Sequence, residues 1–68
     1  MTAWDQYELW SLINGKWELV MWFHDFDVAN AVLRTRQYRT RLIHAVYEND
    51  KRTREDVLAE LGATREEP

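Results

Sequence analysis

The sequence predicts a small α+β domain with the element order β-β-α-β-α. Three observations support this prediction: an Asn-Gly pair between two apolar runs, a helical pattern of apolar residues after His24, and a third apolar run ahead of a polar turn. We expect an N-terminal hairpin with strands at about 5–13 and 16–24, a third strand at about 40–47, and helices at about 26–36 and 54–61 on one face of the sheet.

The N-terminal hairpin has the clearest local signal. Asn14-Gly15 joins its two strands, and the central residues of a type I′ turn need positive φ, which Asn and Gly tolerate. This turn fixes which residues face each other, and side chains then alternate between the two faces. We expect the helices to cover the more apolar face, which carries Trp10, Leu12, Trp17, Leu19, Met21 and Phe23.

The segment after the hairpin predicts a helix and then leaves two alternatives open. Asp25 or Asp27 can cap the helix, because a carboxylate at this position accepts backbone N–H bonds. Residues 40–47 are apolar on both faces, as inner strands often are. However, no Gly or Pro interrupts the chain here, so one long helix over 26–48, in a ββαα order, is the alternative to a third strand.

The C-terminal segment has the signals of a second, short helix. Thr53 and Asp56 approximate a capping box, three apolar side chains follow on one side, and Gly62 suits the position after the last helical residue. We expect a single α+β domain over residues 1–62 and a flexible acidic tail over residues 63–68.

Length and composition restrict how such a domain can be stabilised. A chain of 68 residues buries only about 60% of the surface that it exposes when unfolded. It has no cysteine, which excludes disulfides and thiolate metal sites, but seven of its nine aromatic residues precede residue 27. No segment resembles a signal peptide or a membrane helix, so we expect a cytoplasmic protein that has no contact with a membrane.

A cluster of large apolar side chains on the second hairpin face is the predicted binding site. The domain lacks the bulk to cover both faces of the hairpin, and exposed aromatic side chains on a sheet mark interaction sites. We therefore expect a non-catalytic protein–protein interaction module, which is an accessory subunit, an inhibitor or a homodimer. The expected contact residues are Trp4, Tyr7, Leu9, Val20 and Trp22.

Charge is distributed unevenly along the chain, whose net charge is −3. Residues 34–54 carry seven Lys or Arg against two acids, or +5, and the segments before and after them are acidic. The basic segment suggests contacts with an acidic partner protein or with nucleic-acid phosphates. Nucleic-acid binding is the alternative function, although the negative net charge counts against it. The expected contact residues are Arg34, Arg36, Arg39 and Arg41.

We do not expect an enzyme. Ser11 is the only serine, and it lies within a strand, away from the sharp turn or neighbouring base that activates a nucleophile. His24 stands close to two aspartates, as in some metal sites, but helix capping already explains the aspartates. The sequence therefore predicts no catalytic residue, metal, cofactor or small-molecule substrate.

Overall fold

The computed structural model of the protein describes residues 3–61, which form four strands and one helix. The strands make one antiparallel sheet in the order β2-β1-β3-β4, and the helix lies against one face of it. With eight residues, this helix cannot cross a membrane. In chain order the elements are β1 (Ala3–Ile13), β2 (Lys16–Phe23), α1 (Phe26–Leu33), β3 (Thr40–Glu48) and β4 (Lys51–Leu61).

Two tight turns of the same kind build the sheet. Asn14 and Gly15 join β1 to β2 with φ values of 52° and 82°, which confirms the predicted hairpin. Asn49 and Asp50 join β3 to β4 in the same way, with φ values of 54° and 68°. Short polar side chains tolerate this left-handed conformation because they hydrogen-bond to the nearby backbone. The described chain therefore contains a second hairpin, where the sequence predicted only a polar turn.

The predicted β-β-α-β-α order is wrong, because residues 54–61 belong to strand β4 and not to a second helix. Their Glu, Ala and Leu residues favour a helix in isolation, but pairing with β3 along the whole strand outweighs that weak preference. Two bulges, at Thr53 and Leu58, also break the strict alternation by which a strand is recognised in a sequence.

The helical part of the prediction needs a second correction. Helix α1 ends at Leu33, short of the expected 26–36. The single long helix over 26–48 is also wrong, because β3 is an inner strand that pairs with β1 on one side and β4 on the other. The strand expected at 40–47 is thus present, antiparallel to both of its neighbours. Gly62 and the expected tail over 63–68 lie outside the described residues.

Helix α1 covers the opposite hairpin face from the one that the sequence predicted. Val20 is an extra residue in β2, so Leu9 faces Met21 while Trp10 faces Leu19. Such a bulge reverses the faces of the residues beyond it relative to a regular hairpin. Met21 and Phe23 accordingly join Tyr7 and Leu9 beneath α1, whereas Trp10, Leu12, Trp17 and Leu19 lie on the other face.

The core beneath α1 is small. Its fully buried members are Leu9, Ala29, Leu33 and Leu42, of which the alanine and one leucine come from the helix. Asp25 starts the helix as predicted, since its Oδ1 accepts hydrogen bonds from the backbone N–H groups of Asp27 (2.7 Å) and Val28 (3.4 Å). The helix contacts β1, β2 and β3, so its position is set by the apolar side chains at the centre of the sheet.

The second hairpin can be tested at its turn. Asp50→Gly should stabilise the protein by up to about 1 kcal/mol, because it removes a side chain at positive φ and creates an Asn-Gly turn. Asp50→Ala should destabilise it, since Ala disfavours that conformation. Urea unfolding measures both changes. Equal stability of the two variants would contradict a type I′ turn at this position.

Candidate binding face

The sheet face opposite α1 has no second layer over it in the described structure. We call it the helix-free face. It carries the even-numbered residues of β1 from Trp4 to Leu12. Their pairing partners on β2 and β3 lie on the same face, and so do the β4 residues that pair with those β3 residues. All four tryptophans lie here, on strands joined by tight turns.

A buried carboxylate lies at the centre of the helix-free face. Glu8 is 1% exposed, although no helix covers it. Its Oε2 accepts hydrogen bonds from Gln6 Nε2 (2.6 Å) and from the Tyr47 hydroxyl (3.1 Å), and its Oε1 accepts one from the Trp10 indole (2.9 Å). Arg52 Nη1 adds an ion pair at 2.9 Å. Buried charges persist only where such partners compensate for lost hydration.

Arg52 connects this network to the outer strand β4. Its Nη1 also donates to the Tyr47 hydroxyl (2.9 Å), and its Nε donates to Glu55 Oε1 (2.7 Å). Tyr47 in turn stacks on Trp4, with ring centroids 4.4 Å apart and planes inclined by 13°. Side chains from β1, β3 and β4 therefore hold one another in place over the small residues beneath them. This packing buries Ile43 and Ala45 without a covering helix.

The network changes the acid–base properties of both charged partners. Burial by itself raises the pKa of Glu8, but hydrogen bonds from Trp10, Gln6 and Arg52, with the charge of Arg52, outweigh that effect and bring the pKa below its ordinary value. Burial likewise lowers the pKa of Arg52, and its bonds to Glu8 and Glu55 more than reverse this. Both groups are therefore charged at neutral pH.

An open concavity of about 330 Å³ lies beside this network. Its apolar lining residues are Trp10, Trp17 and Ile43, and its polar lining residues are Arg41, Arg52 and Glu55. The guanidinium of Arg41 lies 4.0 Å from the centre of the Trp17 ring, a cation–π contact. The concavity can therefore accept an apolar or aromatic side chain.

Glu60 pairs with two arginines, one of which, Arg41, lines this concavity. Its carboxylate pairs with Arg39 and, at 2.8 Å, with Arg41 Nε. The pKa of Glu60 lies below its ordinary value, mainly because of the hydrogen bond from Arg41. Partial burial alone would raise this pKa, but Arg39 lowers it further, so the two arginines together outweigh burial. The arginines on the helix-free face are thus matched by glutamates.

Large apolar side chains border the helix-free face at its edges. The exposed fractions are 44% for Leu19 and 50% for Trp22 on β2, and 54% for Val57 on β4. Trp4 is 40% exposed. Together they make an apolar border around a centre that is already packed.

The structure separates the residues that the sequence grouped as one contact cluster. Leu9 is fully buried beneath α1, and Tyr7 packs beside it, against Phe26 (ring centroids 5.7 Å apart). Val20 forms the bulge in β2. Trp22 lies on the helix-free face with Trp4. Only the two tryptophans of the predicted cluster therefore share an exposed surface.

The four arginines expected to act together are also dispersed. Arg34 is the C-terminal cap residue of α1, and Arg36 lies in the connection that follows. Arg39 and Arg41 both pair with Glu60, and Arg41 contributes to the helix-free face. The four arginines therefore lie in different parts of the fold, from the end of α1 to the start of β3.

The polar residues considered for chemistry have structural partners. The Ser11 and Thr40 hydroxyls share a hydrogen bond of 2.7 Å in the interior. His44 Nε2 lies 2.6 Å from Asp5 Oδ2, and the His44 ring stacks on Tyr7. Among residues 3–61, no group of three or more His, Cys, Asp or Glu side chains has a geometry that fits a metal ion.

The Glu8 network was missed in the sequence, although one signal was present. Glu8 is a charged residue on a hairpin face that is otherwise almost entirely apolar. The alternation therefore placed a carboxylate among tryptophans, where it needs buried donors. Its partners Tyr47 and Arg52 are far away in the chain, and residues 54–61 were predicted to be a helix, so no sequence pattern indicated that these side chains meet.

Comparison of the chain with protein-family models, with curated proteins and with solved structures gives no match.

The Glu8 network predicts a large loss of stability on Glu8→Gln. The amide turns a donor toward a site filled with donors and leaves the partly buried Arg52 with only the exposed Glu55 as counter-ion, which should cost about 3 kcal/mol or more. The matched control is Glu55→Gln, which removes an exposed partner of the same arginine and should cost less than about 1 kcal/mol. Urea unfolding at neutral pH compares them. Similar small losses in both variants would rule out a compensated buried charge.

The same network predicts a defined pH dependence. Because the folded-state pKa of Glu8 lies below the ordinary 4.5, its contribution to stability is complete above about pH 4.5 and is lost as the pH falls through the folded-state value. The difference in unfolding free energy between wild type and Glu8→Gln should therefore be constant near neutrality and shrink in acid. Urea midpoints measured across pH 3–7 test this, and a difference that grows in acid would contradict it.

Proposed function

We propose that the protein is a non-catalytic protein-binding module that docks through its helix-free face. The observation that carries the proposal is the combination of a packed centre with an exposed apolar border, formed by Trp4, Leu19, Trp22 and Val57. Tryptophan and arginine are the residues that most often dominate binding energy at protein interfaces. A face fixed by the Glu8 network loses little conformational freedom on binding, which favours affinity.

The charge of the helix-free face favours a protein partner over nucleic acid. Arg41 and Arg52 are its cationic side chains, and the glutamates paired with them, Glu8, Glu55 and Glu60, outnumber them. A surface that stacks nucleic-acid bases also needs excess positive charge to follow the phosphates. Binding through Arg34 to Arg41 remains the weaker alternative, because Glu60 already pairs with two of those four arginines.

The docking function can be tested with a pair of matched double variants. Leu19→Ser/Trp22→Ser removes apolar surface from the helix-free face, where these residues are 44% and 50% exposed. Val28→Ser/Tyr38→Ser removes it from α1 and the following connection, at 45% and 51% exposure. Tagged wild type should capture a protein from a nuclease-treated lysate of its host. The captured protein, identified by mass spectrometry and purified, is then titrated with all three forms.

The Leu19→Ser/Trp22→Ser variant should weaken binding by at least about 30-fold, as loss of a tryptophan hot spot does. The affinity of the Val28→Ser/Tyr38→Ser variant should stay close to that of wild type. Circular dichroism checks that both remain folded. Equal affinity of the two variants would overturn docking through the helix-free face. Capture that disappears after nuclease treatment would instead favour the nucleic-acid alternative.

A further inference from the structure

The connection between α1 and β3, residues 34–39, carries two arginines that have no acidic partner among the described residues. Of the six arginines within residues 3–61, four form ion pairs with carboxylates. Arg34 and Arg36 are the two that do not. The connection therefore carries two positive charges that no neighbouring carboxylate of the described chain offsets.

The end of α1 does not use these two arginines either. Arginine near a helix C-terminus commonly binds the last carbonyl groups of the helix. Here the backbone N–H groups of residues 34–36 donate to the carbonyls of Asn30, Val32 and Leu33, over 2.9–3.3 Å. The Thr35 hydroxyl adds a second hydrogen bond to the Val32 carbonyl (2.8 Å). Capping of the helix therefore does not account for either guanidinium group.

Arg36 is half-buried, and its Nε is enclosed without an acceptor. Within the described part of the chain, no other buried side-chain nitrogen or oxygen lacks a hydrogen-bond partner. An unpaired buried donor is unfavourable, and a partly buried charge without a counter-ion is more so. Because the guanidinium delocalises its charge, an anion bound at its terminal nitrogens compensates the whole group without touching Nε. Arg36 therefore gains from a bound anion.

A concavity of about 250 Å³, which we call the loop concavity, opens beside Arg36. Its lining consists of Thr35, Arg36, Gln37 and Tyr38, which include one guanidinium and no carboxylate. The Gln37 amide and the Tyr38 hydroxyl can donate further hydrogen bonds. The volume is below the roughly 300–1,000 Å³ of pockets that enclose a whole drug-sized ligand. The loop concavity therefore suits a small anionic group with several acceptor oxygens.

The number of charges distinguishes between kinds of anion. A phosphate monoester carries a charge of about −1.5 to −2 at neutral pH, together with three strong acceptor oxygens. Arg34 and Arg36 supply two positive charges. A carboxylate, or one phosphate of a nucleic-acid backbone, carries a single negative charge. The other phosphates of a nucleic acid would also meet a protein whose net charge is −3. The connection therefore matches a phosphate monoester best.

We propose that the loop concavity binds the phosphate monoester group of a small phosphorylated molecule. The Arg36 guanidinium makes a paired contact with two phosphate oxygens, as arginine does with planar or tetrahedral oxyanions. Gln37 and Tyr38 donate to the remaining oxygen, and Arg34 adds positive charge beside the site. The site lies outside the helix-free face and does not depend on the docking function proposed above.

Titrations followed by NMR at constant ionic strength test the ligand class. The probes are phenyl phosphate and inorganic phosphate, and the control ligands are acetate and dimethyl phosphate, which each carry one charge. Phenyl phosphate should shift the backbone amide signals of residues 35–38 and bind at least about 10-fold more tightly than either control. It should also bind at least as tightly as inorganic phosphate. Equal affinity for a control ligand, or binding of inorganic phosphate alone, would overturn the assignment.

Two matched arginine variants separate the site from the overall charge of the protein. Arg36→Gln should weaken phenyl phosphate binding by at least about 10-fold, as expected for the loss of charge-assisted hydrogen bonds. Arg54→Gln removes the same charge from an exposed arginine on β4 that pairs with Asp56 (3.0 Å), and it should change the affinity by less than about twofold. Equal losses in the two variants would indicate general electrostatic attraction and overturn the site.

Urea unfolding checks the unpaired state of Arg36 independently of the titrations. Because its Nε has no acceptor, Arg36→Gln should leave the urea midpoint of the ligand-free protein unchanged or higher. Phenyl phosphate should raise the midpoint of wild type and of Arg54→Gln, but not that of Arg36→Gln. A strongly destabilised Arg36→Gln would show that the guanidinium has a structural role, and a wild-type midpoint unaffected by phenyl phosphate would exclude binding. Either result would overturn the proposal.

Discussion

The burial of the Glu8 carboxylate is the constraint on which the helix-free face depends. A charged group with 1% exposure requires donors at fixed positions, and these come from three strands of the sheet. Trp10, Tyr47 and Arg52 are held over the sheet because each donates to this carboxylate. Without the carboxylate, the Trp10 indole, the Tyr47 hydroxyl and the Arg52 guanidinium would have no common hydrogen-bond acceptor.

A network of this kind contributes more to specificity than to stability. Replacing a buried ion pair by well-packed apolar residues is often neutral or stabilising, because the desolvation of two charges offsets their attraction. The Glu8 network instead determines which rotamers Trp10 and Tyr47 adopt and how Trp4 stacks on Tyr47. It therefore gives the exposed border a defined shape, which is what a binding surface needs. On the other face, the small core under α1 supplies ordinary apolar packing.

The sequence predicted those parts of the fold that local signals determine. Asn14-Gly15 identified the first hairpin, and Asp25, one of the two predicted candidates, caps the helix. Asn49-Asp50 carried a similar turn signal, but the helix-forming composition of the residues after it masked their pairing with β3. The bulge at Val20 explains why the sequence assigned the wrong hairpin face to the helix. The alternation of side chains in β2 is compatible with either register, so it does not reveal one extra residue.

The candidate site was harder to predict than the fold, because its residues meet only through the sheet order. Trp22 and Trp4 are exposed on the helix-free face, but the sequence grouped them with Tyr7 and Leu9, which pack beneath α1. The contact between Glu8 and Arg52 joins the first strand to the last, and it follows only once β4 is known to pair with β3. Long-range pairing of this kind leaves no periodic signal in the chain.

The hydrogen bond from the Trp10 indole to Glu8 offers the most direct measurement. The protein has four indole N–H groups, which NMR resolves as four signals that single Trp→Phe variants assign. The Trp10 signal should exchange with solvent far more slowly than that of the half-exposed Trp22, and it should shift as Glu8 is protonated below about pH 4.5. A Trp10 indole that exchanges as fast as Trp22 and does not respond to acid would contradict a buried carboxylate at the centre of the face.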